Sequence, residues 1–128
     1  MPSSPTNPDL PITPRPATPL FSFVIPVYNR AEGLHPTLDS ILQQSFNDYE
    51  VIVIDDGSDD EPQRALEQYN DSRITFLRNP TNRGVGPTRN RGVRESKGAW
   101  VVFLDTEDTL LPNALQHMAE SAAACDDK

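Results

Sequence analysis

A chain of 128 residues is one domain's worth, and its single cysteine, Cys125, excludes an intrachain disulfide. A formal net charge of −8 argues against a nucleic-acid partner, although residues 71–100 hold seven bases against two acids and suit a small anionic ligand. No apolar run approaches a membrane span and no apolar-cored signal peptide opens the chain, so the expected compartment is cytoplasmic.

Residues 1–19 open the chain with Pro2, Pro5, Pro8, Pro11 and Pro14 at every third position, then Pro16 and Pro19. Three residues per turn is the polyproline II period, so the first five prolines share one face. With little apolar surface, the segment is predicted to be a disordered, proline-rich leader, either inert or docking on an aromatic groove of a partner.

Phe21 to Val27 reads as the first strand. Leu34, Leu38, Ile41 and Leu42 follow at helical spacing, with Pro36 confined to the first turn. Tyr49 to Ile54 is the second strand, Glu61 to Tyr69 a weaker helix and Arg73 to Leu77 a short third strand. Val85, Arg89 and Val93 mark a third helix, Ala99 to Leu104 the fourth strand and Leu111 to Ala124 the last helix. Strands alternating with helices predict an α/β domain over 20–128, a parallel sheet with right-handed crossovers.

Parallel strands point their carboxyl ends one way, and pocket chemistry collects at that edge. The run Val101-Val102-Phe103-Leu104 empties into Asp105, Glu107 and Asp108. Three carboxylates there repel one another unless a cation joins them, and hard oxygen ligands suit Mg²⁺ or Mn²⁺ bridging a diphosphate. A solvated acidic turn is the alternative. Asp55 and Asp56 end the second strand, where an inward carboxylate could accept hydrogen bonds from a base or ribose. Ser58, Asp59 or Asp60 could cap the next helix. Tyr28, after the first strand, is either packed or free to stack on a nucleobase.

Gly84-Val85-Gly86-Pro87-Thr88-Arg89 lacks the third glycine and the preceding first strand of a dinucleotide fingerprint. On its helix, Arg89 falls in line with Val85 and Val93, and an inward arginine needs an anionic partner: a ligand phosphate or an aspartate such as Asp55. Arg91, Arg94 and Lys97 share the other side with Asn90 and read as a solvated face. His35 and His117 have no neighbouring ligand residues in sequence and read as ordinary helix positions.

Five ordered motifs over residues 21–112 carry a resemblance. Phe23-Val24-Ile25-Pro26-Val27-Tyr28-Asn29-Arg30 resembles the opening strand of the inverting family-two glycosyltransferases of GT-A type. Ser40-Ile41-Leu42-Gln43-Gln44-Ser45-Phe46 and Val53-Ile54-Asp55-Asp56-Gly57-Ser58-Asp59 are similar to the family's next segments. So are Asn82-Arg83-Gly84-Val85-Gly86, with Arg89-Asn90, and Phe103-Leu104-Asp105-Thr106-Glu107-Asp108, with Pro112, where the family keeps its Asp-x-Asp metal motif.

The resemblance implies a three-layer, Rossmann-like GT-A sheet and a nucleoside-diphosphate sugar donor, a UDP-sugar in the first place. It implies a nucleotide site at Pro26, Tyr28, Arg30, Asp56, Arg89 and Asp105. Tyr28 would stack on the base, and Asp56 would meet base or ribose. Glu107, with Asp105, would hold Mn²⁺ or Mg²⁺, although glutamate replaces the usual aspartate and sets the carboxylate outward by roughly a bond length. The chain stops shortly after this motif, whereas the family keeps its sugar or glycan acceptor site and general base further on. The expectation is therefore an N-terminal donor-binding half with no assigned base, which binds nucleotide sugar and transfers little alone. The alternative is a truncated, non-catalytic binding or regulatory module.

Overall fold

The computed structural model describes residues 18–126, so the expected proline-rich leader lies outside the described residues except for Thr18 and Pro19. Four parallel strands, β1 (Phe21–Val27), β2 (Tyr49–Asp55), β3 (Ile74–Arg78) and β4 (Trp100–Phe103), form one sheet in the order β3-β2-β1-β4. The helices are α1 (Leu34–Leu42), α2 (Pro62–Ala65), α3 (Val85–Glu95) and α4 (Ala114–Asp126), and a short 3₁₀ turn, Ala31–Gly33, leads into α1. β1 pairs with β2 from Phe21↔Tyr49 to Val27↔Asp55, and with β4 from Phe21↔Trp100 to Val24↔Phe103.

Alternation along β1 sorts the two faces. Phe21, Phe23, Ile25 and Val27 meet Leu34, Leu38 and Ile41 of α1 and Leu115 of α4 in the larger core. Val24 turns the other way, joining Ile52 and Ile54 under α3. β1 and β2 are buried on both faces, which is why they read as continuous apolar runs. Since β2 lies on one side of β1 and β4 on the other, the strand order reverses at β1. The crevice beyond the carboxyl ends of β1 and β4 is a topological switch point, where ligands of such sheets bind.

Three local expectations change. The buried stripe of α3 is Thr88 and Gly92, not Val85, Arg89 and Val93; Val85 is 54% and Val93 43% exposed. Small residues let the helix approach the sheet closely, and a Cβ at Gly92 would fall 2.8 Å from Ile54 Cδ1. Helix α2 is a single turn, entered through Glu61 in the left-handed region at φ 56°. Helix α4 starts at Ala114 rather than Leu111 because Asn113, at φ 66°, cannot continue a right-handed helix.

At the opposite end of the sheet, Glu50 is buried. It accepts hydrogen bonds from Ser22 Oγ at 2.5 Å and Lys97 N at 2.6 Å, while Gly98 N donates to Ser22 Oγ at 2.7 Å. These contacts pin the turn between α3 and β4, so that β4 delivers its acidic end to the switch point.

Candidate functional site

The loops after β1 and β2 are stitched together. Asn29 N donates to Ser58 Oγ at 2.8 Å, Asp59 N to Asn29 Oδ1 at 2.8 Å, and Ala31 N to Asp60 Oδ2 at 2.9 Å. Ser58 and Asp60 thus cap the neighbouring loop, and α2, which they were expected to cap, has no side-chain cap. Parallel strands bring these loops side by side, and their orphan N–H groups are satisfied across the gap.

Asp55 and Asp56 point to different jobs. Asp55 is fully buried, accepts from Ser58 N at 2.8 Å and pairs with Arg78, so the aspartate offered as a partner for Arg89 is already taken. Asp56, 4% exposed, accepts from Asn79 Nδ2 at 2.8 Å, Asn82 Nδ2 at 3.1 Å, Arg83 N at 2.9 Å and Gly84 N at 2.9 Å. An ionised carboxylate offers about four acceptor sites, so Asp56 is filled by the loop it holds. Burial pushes its carboxyl up, but the hydrogen bonds from Asn79, Arg83 N, Gly84 N and Thr88 outweigh burial and hold it below the usual carboxylate range. Gly57, at φ 81°, allows the approach: a Cβ there would lie 2.8 Å from Asn82 N.

At the end of β4, Glu107 N donates to Gly33 O at 2.9 Å, and Asp105 N to Asp108 Oδ2 at 2.9 Å. Helix α1 holds the following segment through Ser40, which accepts from Leu110 N at 3.0 Å. Gln44 Nε2 donates to Leu111 O at 2.9 Å, and Gln44 Oε1 accepts from Leu115 N at 3.1 Å.

These loops enclose a cavity of about 530 Å³. Of the residues expected there, Pro26, Tyr28, Arg30, Asp56 and Asp105 line it, and Tyr28 is 48% exposed. Asn82, Gly84, Val85, Thr88 and Thr106 also line it, beyond the residues expected there from the sequence. Asp108 lines it as well. Arg89 reaches the mouth, where Nη2 lies 3.1 Å from Asp105 Oδ1, and its buried Nε has no partner among the described residues. Glu107 stands outside the wall, at φ 76°, with its carboxylate 3.4 Å from Arg30 Nη1 above an adjoining pocket. The two carboxylates expected to hold a metal are thus each drawn to a guanidinium. Among the described residues no group of three or more metal-ligating side chains is gathered. The donor set still fits a hard cation such as Mg²⁺, which is commonly held by one or two carboxylates plus ligand phosphates.

The family profile described as Glycosyl transferase family 2 matches residues 22–127. An uncharacterized glycosyltransferase of Haemophilus influenzae is 36% identical over 79% of this chain and 34% of its own length. A UDP-Glc:alpha-D-GlcNAc-diphosphoundecaprenol beta-1,3-glucosyltransferase of Escherichia coli, WfgD, is 31% identical over 76% of this chain and 38% of its own. The chain therefore spans about a third of the length of these relatives. Among solved structures, S. aureus TarS 1-349 in complex with UDP-GlcNAc superimposes with a TM-score of 0.77 at 29% identity, covering 82% of this chain and 31% of that one. The mannosyltransferase PcManGT from Pyrobaculum calidifontis, in complex with GDP-Man and Mn²⁺, gives 0.72 at 25% identity, over 86% of this chain and 34% of its own. With its parallel α/β sheet of GT-A type and the profile match over nearly all of the described residues, the chain belongs to glycosyl transferase family 2.

Proposed function

We propose that residues 20–128 form the donor-binding half of an inverting glycosyltransferase, taking a nucleoside-diphosphate sugar, with UDP as the first candidate nucleotide, for transfer to an acceptor hydroxyl. The observation that carries this reading is the polar arrangement at the cavity mouth. Arg89 spans to Asp105, which lines the cavity, so a guanidinium stands within reach of an anionic group bound there, while its buried Nε has no partner among the described residues. The solved structures of TarS with UDP-GlcNAc and of PcManGT with GDP-Man and Mn²⁺ support it, because both superimpose on this sheet.

In this reading Tyr28, exposed beside Pro26, stacks on the base. Asp56 sits beside base or ribose and holds the wall of Asn82 to Gly84. Arg89 and Arg30 turn from their carboxylates toward the phosphates, leaving Asp105 and Glu107 to hold Mn²⁺ or Mg²⁺. Both arginine pairs are substantially exposed, and ion pairs of that kind exchange partners at little cost. When bound, the cation supplies Lewis-acid stabilisation of the departing nucleoside diphosphate. The compartment consistent with this donor chemistry is the cytoplasm; no helix among the described residues is long and apolar enough to cross a membrane.

Calorimetric titration of the full chain with UDP and GDP, each with and without Mn²⁺, tests the reading. Metal-dependent binding of one nucleotide is expected. A folded sample that binds neither would overturn it. Metal-independent binding would favour a non-catalytic module, the reading suggested by the position of Glu107 on Arg30.

A further inference from the structure

Helix α3 has a second polar face that the donor site does not use. A groove of about 680 Å³ lies along it, walled by Pro80 and Pro87 and lined by Arg78, Arg83, Arg91 and Arg94. It shares no lining residue with the donor cavity and contains no carboxylate in its wall. Arg78 is neutralised by buried Asp55. Arg83, Arg91 and Arg94 make no ion pair among the described residues, although the chain carries a large excess of acids. An acidic protein that collects three uncompensated arginines in one concavity has a local field opposite to its net charge.

The groove is also built rather than loose. Arg91 Nη1 donates to Arg78 O at 2.7 Å and to Asn79 Oδ1 at 2.9 Å. That fixes the guanidinium plane and leaves its Nε and Nη2 donors available. Asn79 is in turn 3% exposed and held by Asp56 and Thr88. A solvated face was the expectation for Arg91 and Arg94. Arg94 is exposed, but Arg91 is partly buried and immobilised by the loop beside it. Planar, pre-organised guanidinium groups match the oxygens of a phosphate through paired N–H donors.

We propose that this groove is a second anion site, separate from the donor cavity, that binds a phosphate group through Arg83, Arg91 and Arg94. The phosphate is either a free phosphate or the headgroup phosphate of an anionic lipid. The assignment does not depend on the donor reading, because the two cavities share no residue.

The test uses the full chain with two probes in the presence of EDTA. One is inorganic phosphate, followed by shifts of the Asn90, Arg91 and Arg94 amide resonances, since Val85 and Thr88 of the same helix line the donor cavity. The other is cosedimentation with vesicles of phosphatidylglycerol and phosphatidylcholine against phosphatidylcholine alone. Response to phosphate identifies a soluble source, selective sedimentation with phosphatidylglycerol identifies a lipid source, and either supports the site. Arg83→Gln/Arg94→Gln, both exposed positions, is expected to weaken vesicle binding about fivefold for each arginine removed. Arg64→Gln, which removes an exposed charge on α2, should leave it within twofold. Absence of both responses from folded protein, or equal losses in Arg94→Gln and Arg64→Gln, would overturn the proposal. UDP titration of the same variants separates the two sites: failure of the donor reading leaves the groove responses intact.

Discussion

Arg89 and Asp105 face each other across the mouth of the donor cavity, Nη2 to Oδ1 at 3.1 Å, and the same guanidinium buries an Nε with no partner among the described residues. An arginine so placed is only half used. Arg89→Gln is expected to lower UDP affinity in Mn²⁺ by about 10- to 100-fold, the value of a charge-assisted hydrogen bond to phosphate. Calorimetry reads this directly. An unchanged dissociation constant would assign Arg89 to holding Asp105 alone.

Glu107 and Arg30 form the second such pair, at 3.4 Å and with both side chains more than half exposed. Removing the pair costs little stability, so Arg30→Gln and Glu107→Gln should each melt within a few degrees of the parent. Their effects on the metal should differ. Glu107→Gln and Asp105→Asn are each expected to abolish most of the Mn²⁺ enhancement of UDP binding. Arg30→Gln should preserve that enhancement, since it frees the Glu107 carboxylate. Retention of full Mn²⁺ dependence by Glu107→Gln would move the metal to Asp105 and Asp108, the two carboxylates after β4 that line the cavity.

How far the sequence carried the fold depended on the kind of signal. The strands were legible because β1 and β2 are buried on both faces and read as unbroken apolar runs. The buried stripe of α3 is not legible in sequence because Thr88 and Gly92 carry no hydrophobic signal; closeness of approach selects them. Asp55 and Asp56 were indistinguishable as neighbours in sequence. Only the register against β3 shows that one meets Arg78 and the other the loop from Asn79 to Gly84. Ser40 and Gln44 belonged to a quoted motif, yet their work on the segment after β4 depends on contacts some seventy residues away in sequence.

Asp56 gives the chain a pH-dependent contribution with a definite sign. Its folded-state value lies below the ordinary 3.8, so its stabilisation is present above that value and is lost as pH falls through the lower, folded-state one. Asp56→Asn leaves an amide facing N–H donors and is expected to cost about 2–4 kcal/mol at pH 7. The gap between parent and variant in urea unfolding should narrow below about pH 4. A gap of constant size from pH 7 to pH 3 would show that the carboxylate charge contributes nothing beyond its shape.

Gly92 sets how closely α3 lies on the sheet, and two opposing magnitudes decide what a methyl group does there. Alanine in a helix interior gains about 1 kcal/mol over glycine. The same methyl would approach Val24 Cγ1 and lie 2.8 Å from Ile54 Cδ1, both fully buried in the core between α3 and the sheet. Overpacking of this kind costs about 1–3 kcal/mol, because side chains leave their rotamers or the helix shifts outward. Clash should prevail, so Gly92→Ala is expected to be destabilising by about 1 kcal/mol in urea unfolding. If α3 relieves the clash by moving, Thr88 moves with it, and Asn79, which donates to Thr88 Oγ1 at 3.0 Å and to Asp56, loses its geometry. UDP binding should then weaken together with stability. A variant more stable than the parent would show that the helix and sheet have slack that this packing does not reveal.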